Sequence, residues 1–458
     1  MDIARSIATV YKARTPYEYS KAYNPLVAIS ALLFLVGVIV GLYGFLKGHH
    51  AVFNVTRQVP LGILLSTYVF FVVSSTGCCL LIPFLVHAFR ITIFEPFARR
   101  IVFLALATIF SGFVVLLFEL EHPLKMVWNY ITPNLLSNIW WMGTLYILYI
   151  IAMLCEFISL LGRNIKYAAI FGFCGAVFGV TAHSNLGGVF ATLIARPYWH
   201  GPFIPIYFIA SAFVSGAAIT IFFTYISYKL RRKPFDQRIE RSMVAVARLF
   251  GVLLFILLFF YWWEMVIGYF GSPHGKFESM MALISGPLRV NFWFFEVFLG
   301  MILPILILGF TNAQNIKAMF WASVSCIVGI FFMRYDLVVI DQLVPVWHSI
   351  GAVGYETYAS YVPSIVEIAI VGGGFGFCML LYLLAERFLD LDEVHDEDIN
   401  ELAEEEAKVL AWAEEESSKK REKIRGPWQL SPRMKPYESK RFKLDRAREI
   451  LEGNEKEE

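Results

Sequence analysis

Between Pro25 and Phe388 this chain carries ten apolar stretches, each long enough to cross a bilayer. Inside lipid there is no water for exposed backbone groups, so a spanning chain must be helical or form a closed barrel. A run of about 20 apolar residues is the helical case. Hydrophobic residues make up 58% of the chain and charged residues 17%, against about a quarter charged in soluble domains. The expected fold class is therefore all-α integral membrane. The spans fall near residues 25–45, 60–88, 97–119, 136–161, 165–183, 203–228, 244–270, 290–310, 316–333 and 362–388. Three regions follow: a polar segment 1–24, a transmembrane domain 25–388 and a charged tail 389–458. The polar start lacks the order of a cleavable signal peptide, so the first span is expected to remain.

Lys and Arg in the loops set the orientation. With the N-terminus inside, the inner segments hold 16 of them, including Arg90, Arg99, Arg100, Arg163, Lys166 and Lys317, and the outer loops hold 7. Both termini are expected to be cytoplasmic. Residues 390–458 contain 14 basic and 21 acidic residues, while the first 389 contain 25 and 16. A tail of that composition reads as solvated, with Trp412, Trp428 and Tyr437 as anchors should a cytoplasmic subunit dock there. The surroundings expected are lipid, and nothing points to nucleic acid.

The fourth and eighth spans begin alike, Ser137-Asn138-Ile139-Trp140-Trp141 against Val290-Asn291-Phe292-Trp293-Phe294. Four spans separate them, an even number, so the repeats would be parallel. That predicts two four-helix units, spans 2–5 and 6–9, flanked by spans 1 and 10.

Charges inside a membrane cost about 2.5–3.5 kcal/mol each even on lenient scales, so they face a protein interior or wet cavity and mark function by default. Here they gather at the outer ends of the spans. Glu119, Glu121 and His122 close span 3, His183 ends span 5, Glu264 and Glu296 lie in the outer parts of spans 7 and 8, Arg334 and Asp336 leave span 9, and Glu367 enters span 10. On the inner side stand His87, Glu156 and Glu386, the last expected to pair with its neighbour Arg387. A helix-end cluster such as Glu119, Glu121 and His122 can exchange protons with water while touching an apolar cavity. Those three are the candidate catalytic residues; Glu264, Glu296 and Glu156 mark a candidate proton path.

All six cysteines fall inside spans, without CxxC or ferredoxin spacing, so no iron-sulfur cluster or c-type haem is expected on this chain. Only His122 and His183 share a depth, which excludes two transmembrane-stacked haems and leaves a single outer haem or none, and no metal motif is present.

Several motifs, taken in order, carry a resemblance. Gln58-Val59-Pro60-Leu61-Gly62 leads into span 2; Phe118 to Pro123 reads FELEHP; Ala182 to Gly188 reads AHSNLGG; Arg196 to Phe203 reads RPYWHGPF; Met333 to Val339 and Tyr361 to Ile368 complete the pattern. Over residues 20–390 this resembles the NrfD/PsrC superfamily of quinone-interacting membrane subunits, most like its ten-helix branch containing HybB and DsrP. The resemblance implies a haemless subunit that binds menaquinone or another quinone near the non-cytoplasmic face. It also implies electron exchange with a ferredoxin-like iron-sulfur subunit docked there, within a respiratory complex of anaerobic or sulfur metabolism in a prokaryotic cell membrane. Further redox subunits would complete it, a cytochrome c among the candidates. Many relatives have Gly-Arg-Pro where this chain has Glu121-His122-Pro123, and His122 can donate to a quinone carbonyl as Arg does. His122, Trp128, Tyr130, His183 and Trp199 are the candidate quinone-binding residues, with Trp347, Tyr355, Tyr358 and Tyr361 as outer aromatic anchors for the partner. The competing class is a secondary transporter or proton-translocating channel subunit, which would also show ten helices, parallel repeats and buried carboxylates.

Overall fold

The computed structural model describes residues 19–391 apart from 82–83, 87–90, 163, 236, 272–274, 347–357 and 390. His87, Trp347, Tyr355 and the charged tail with Trp412, Trp428 and Tyr437 lie outside the described residues. Among the described residues, ten helices are long and apolar enough to span a membrane. They are α1 (Tyr23–Lys47), α2 (Ile63–Leu81), α3 (Ala98–Glu119), α4 (Asn138–Leu161), α5 (Ile165–Ala191), α6 (Phe203–Leu230), α7 (Gln237–Phe270), α8 (Asn291–Phe310), α9 (Ile316–Leu343) and α10 (Ile365–Phe388). Among the described residues there is no strand.

Two helix ends depart from expectation in ways that move candidate residues. α5 continues to Ala191, so His183 lies about two turns inside the helix rather than at its end. The polar run after His183 keeps the helix because its side chains find partners on neighbouring segments. Asn185 donates to the Asn138 carbonyl at 2.7 Å, and Gly187 sits against the Pro205 backbone. α9 runs to Leu343, so Arg334 and Asp336 are internal residues of the helix. Each is met there by a side chain from another span, Ser211 for Arg334 and Asn291 for Asp336.

The helices sort into the two four-helix units that the repeat implies. α2 packs on α3 and α5, and α4 on both of those; α6 packs on α7 and α9, and α8 on α9 and α7. α1 lies along α10, and that pair closes against α3. A second piece of the repeat shows in the capping. α5 and α9 both open with Asn-Ile-Lys, at Asn164 and Asn315, and in both the Asn side chain accepts backbone N–H groups of the first turn. Equal distance from these caps makes His183 the counterpart of Arg334.

The units meet where α2 crosses α6. A Cβ on Gly77 would stand 1.9 Å from the Ala212 carbonyl oxygen, and one on Gly216 would stand 2.3 Å from the Gly77 carbonyl. Such backbone-to-backbone contact is how small residues let membrane helices associate without a hydrophobic driving force.

At the opposite end from Glu119, the start of α3 and the end of α6 are tied to the end of α10. Glu386 does not pair with Arg387, which is exposed. It is buried and ion-paired with Arg100 of α3 at 3.3 Å and with Arg231 just after α6. Arg100 also donates to the Tyr382 hydroxyl at 3.1 Å, and Tyr382 donates to the Phe223 carbonyl. Charge placed this deep needs a counter-charge from another helix, and a sequence neighbour on the outer face of α10 cannot supply it.

Candidate functional site

Ionisable side chains collect near the Glu119 end of the bundle, in two groups. The first surrounds the end of α3. Glu119, half-buried, lies within electrostatic range of Glu367 on α10. Glu367 is buried and saturated: it accepts from the Tyr361 hydroxyl at 2.7 Å, from the Ser364 amide at 2.7 Å and from the Asn54 amide at 3.1 Å. With Ser364 it forms a capping box, so it starts α10 as well as facing Glu119. Burial and the Glu367 carboxylate push the Tyr361 hydroxyl above its ordinary range.

Glu121 and His122 are exposed beyond the helix end, within electrostatic range of buried His49. Burial holds the His49 imidazole below its usual range, and Glu121 opposes that. Trp128 is 61% exposed on the short helix Lys125–Ile131. On the same helix, the Tyr130 hydroxyl comes so close to Gly143 of α4 that a Cβ there would stand 2.5 Å away. Tyr130 is also within electrostatic range of Tyr68, wholly buried on α2.

The second group lies in the α6–α9 unit and against α5, and is more deeply buried. Arg334 donates to the Ser211 hydroxyl at 2.5 Å, and its guanidinium rests over the Phe208 ring at 5.1 Å. His183 also packs against Phe208, ring centroids 5.6 Å apart, and lies within electrostatic range of Arg334. Asp336 accepts from Asn291 of α8 at 3.2 Å and lies beside Glu296, whose own near neighbours are Tyr261 and Tyr207. Arg334 and Asp336 therefore pair with other helices rather than with each other. Glu264 is ion-paired with Lys276 at 2.9 Å. Tyr335 lies within range of both Asp336 and Glu367, so the two groups adjoin.

Glu296 sits in the widened part of α8, a π-helical run over Asn291–Ile302. Pro304 gives a local cause, since it cannot donate to the Gly300 carbonyl and its ring crowds that position. Such bulges recur at functional sites because they turn side chains off the regular helical face.

Trp199 is buried between α5 and α9. Its indole donates to the Leu337 carbonyl at 2.7 Å, and its amide donates to Asp341 at 3.2 Å. Glu156 belongs to neither group: it is buried on α4 near Cys79, in the other unit and toward the far end. Tyr207 and Tyr261, which line the second group, escaped sequence reasoning, because a tyrosine in an apolar run reads as filler; Tyr198, which reads as an outer aromatic anchor, is buried beside them. The offset between the Asn-Ile-Lys caps could have tied Arg334 to His183.

The polar atoms of the second group are under-satisfied by protein. Nε and Nη1 of Arg334 have no hydrogen-bond partner, and His183 beside the Phe208 backbone and Glu296 beside Tyr261 and Asp336 lack well-formed bonds. Donors and acceptors buried this way imply water or a polar ligand among them. Among the described residues, no three of His, Cys, Asp or Glu converge well enough to hold a metal ion.

The sequence model of the family described as "Polysulphide reductase, NrfD" matches residues 51–346. A selenate reductase subunit of Mesobacillus selenatarsenatis is 23% identical over 415 residues, covering 80% of this chain and 95% of that protein. A putative dimethyl sulfoxide reductase membrane subunit of Halobacterium salinarum is 24% identical over 401 residues, covering 79% and 90%. "Protein NrfD" of Escherichia coli is 24% identical over 172 residues, covering 36% of this chain and 51% of that one.

Proposed function

Because the chain belongs to the polysulphide reductase NrfD family, we propose that it is the membrane subunit of a reductase complex, binding a quinone, menaquinone or a relative, near the Glu119 end. The observation that carries this reading is the clustering of titratable groups at one end of the bundle, several buried without protein partners. When bound, a quinone supplies a carrier of two electrons and two protons in the lipid phase. The protein must supply donors at the ring oxygens, a proton path to water and a nearby electron donor. His122 and Tyr130 are the donors nearest the water-facing surface, and Glu119 and Glu121 would hold and pass protons beside them. Trp128 would cover the ring, and His183 would close the inner wall on the side of Arg334. Trp199 would act by fixing the loop before α6. Glu296 and Glu264, one unit over, would hold protons during turnover.

Electrons would be exchanged with an iron-sulfur subunit on the same face, which this reading places outside the cytoplasm of a prokaryotic cell. Further redox subunits, a cytochrome c among them, would complete the complex, and the charged tail would meet any cytoplasmic one. The first two relatives are reductase subunits, and the chain spans nearly their whole length, which supports this placement.

In the purified complex, His122→Ala and Glu119→Gln should each lower quinone-linked turnover roughly 10²-fold, the low end for loss of a positioned acid or base. Membrane insertion should be unchanged, since neither variant shortens an apolar span. Wild-type quinone kinetics in both variants would remove the site. Orientation is tested separately. Protease added to sealed right-side-out vesicles should spare residues 390–458, and inverted vesicles should lose them, because ten spans return the chain to its starting side. The reverse pattern would move the proposed quinone site to the cytoplasmic face.

A further inference from the structure

α2 and α4 enclose a row of hydroxyls that quinone chemistry at the Glu119 end does not use. On α4, Tyr146, Tyr149 and Glu156 are buried, three and seven residues apart, along one helical face. Facing them on α2 are Tyr68, Ser75, Thr76 and Cys79, all buried. At one end Tyr130 lies within range of Tyr68, and Tyr68 within range of Tyr146. In the middle, the hydroxyls of Ser75 and Tyr149 are hydrogen-bonded at 2.9 Å, Ser75 also donating to the Ala105 carbonyl at 2.6 Å and Tyr149 to the Ser75 carbonyl at 3.1 Å. Beyond them Cys79 is within range of both Tyr149 and Glu156. At about 1.5 Å per residue, Tyr68 to Cys79 covers about 16 Å along α2 and Tyr146 to Glu156 about 15 Å along α4. That is half of the ~30 Å hydrocarbon core.

Most hydroxyls in this unit are quenched by their own helix. Ser66, Thr67, Thr108 and Ser111 each donate to the carbonyl four residues back. The hydroxyls of Tyr68, Tyr146 and Thr76 do not: they are shut off from solvent and have no hydrogen-bond partner in the protein. Leaving one unmatched costs roughly 1–3 kcal/mol, and the usual remedy is an ordered water making about three bonds. Two glycines of α5 let the α4 side chains of this row lie close. A Cβ on Gly179 would stand 3.1 Å from the Tyr149 ring, and one on Gly175 would stand 2.9 Å from the Met153 sulfur beside Cys79.

We propose that α2 and α4 hold a water-threaded hydroxyl column that carries protons between Glu156 and the Glu119 end of the bundle. Each hydroxyl accepts a proton on one side as it releases its own on the other, so no oxidant or reductant enters the step. The bonded pair Ser75 and Tyr149 is where hydroxyls of the two helices touch directly, and Ser75 relays by turning its proton away from the Ala105 carbonyl.

The test uses the purified full-length chain in liposomes with no redox substrate present. A potassium diffusion potential set by valinomycin drives protons inward, and a trapped pH dye reads their entry. The chain should raise proton entry above that of protein-free vesicles. Tyr149→Phe and Ser75→Ala should cut the added flux by roughly tenfold or more, as expected when a proton-relaying group is removed. Ser75→Thr should retain the flux, because it keeps the hydroxyl while adding a methyl group; Ser66→Ala should retain it too. The proposal is overturned if the wild-type chain conducts no better than protein-free vesicles, or if Tyr149→Phe conducts like wild type. It is equally overturned if Ser75→Thr loses flux together with Ser75→Ala, which would make the position a packing site. No quinone enters the assay, so its failure would leave the proposed quinone site standing.

Discussion

Gly77→Val should abolish the folded protein. The added Cβ would land 1.9 Å from the Ala212 carbonyl oxygen and 2.9 Å from the Gly216 amide. Both are backbone atoms, so no rotamer change relieves the clash, and α2 and α6 must separate along the seam between the two units. Overpacking ordinarily costs about 1–3 kcal/mol, and immobile neighbours place this case at or above the upper end. Gly309→Ala is the matched control, since a Cβ there meets nothing within 4 Å. Size-exclusion of detergent-solubilised protein should show a monodisperse peak for the control and loss of that peak for Gly77→Val. A monodisperse Gly77→Val protein with wild-type thermal stability would mean that this crossing does not join the units.

The second large effect is expected at Glu386. Removing its carboxylate in Glu386→Ala takes the shared counter-charge from two buried guanidinium groups, Arg100 and Arg231. Breaking a buried ion pair from one side costs about 3–5 kcal/mol. Adding Arg231→Gln to Glu386→Gln should be less damaging than the sum of the two single changes, because the groups act on each other. Thermal unfolding in detergent measures all four proteins. Strict additivity, or a Glu386→Ala protein as stable as wild type, would show that solvent reaches the charges.

Much of this arrangement can be read from sequence, because the bilayer permits so few solutions. Span number, helix type and the grouping into two units all follow from apolar length and from one repeated five-residue stretch. The placing of charges does not. His183 and Arg334 read as helix-end residues because each is followed by polar or charged positions, and polarity ordinarily signals a helix leaving the membrane. Here it signals neighbours instead: Asn185 meets α4, Arg334 meets Ser211 and Asp336 meets Asn291. Glu386 reads as the partner of Arg387 because adjacency is visible in a sequence and a partner 286 positions away, at Arg100, is not. The cluster at Glu119, Glu121 and His122 is visible as three titratable residues in four. The larger group around Glu296 is scattered over five helices, and only the fold assembles it.

The ties between the two units bear on how the chain can move. Near the Glu119 end, Gln342 of α9 clasps Leu61, two residues before α2, accepting from its amide at 2.9 Å and donating to its carbonyl at 3.0 Å. At mid-depth Gly77 and Gly216 touch backbone to backbone. At the far end Glu386 locks α3 to the segment just after α6. A carrier that exposes its cargo first to one side and then to the other must part its halves at one end while closing them at the other. Three fastenings along a single seam leave no end free to part. Whatever crosses between the two faces of this bundle must then pass through a standing framework, as current passes through a wire.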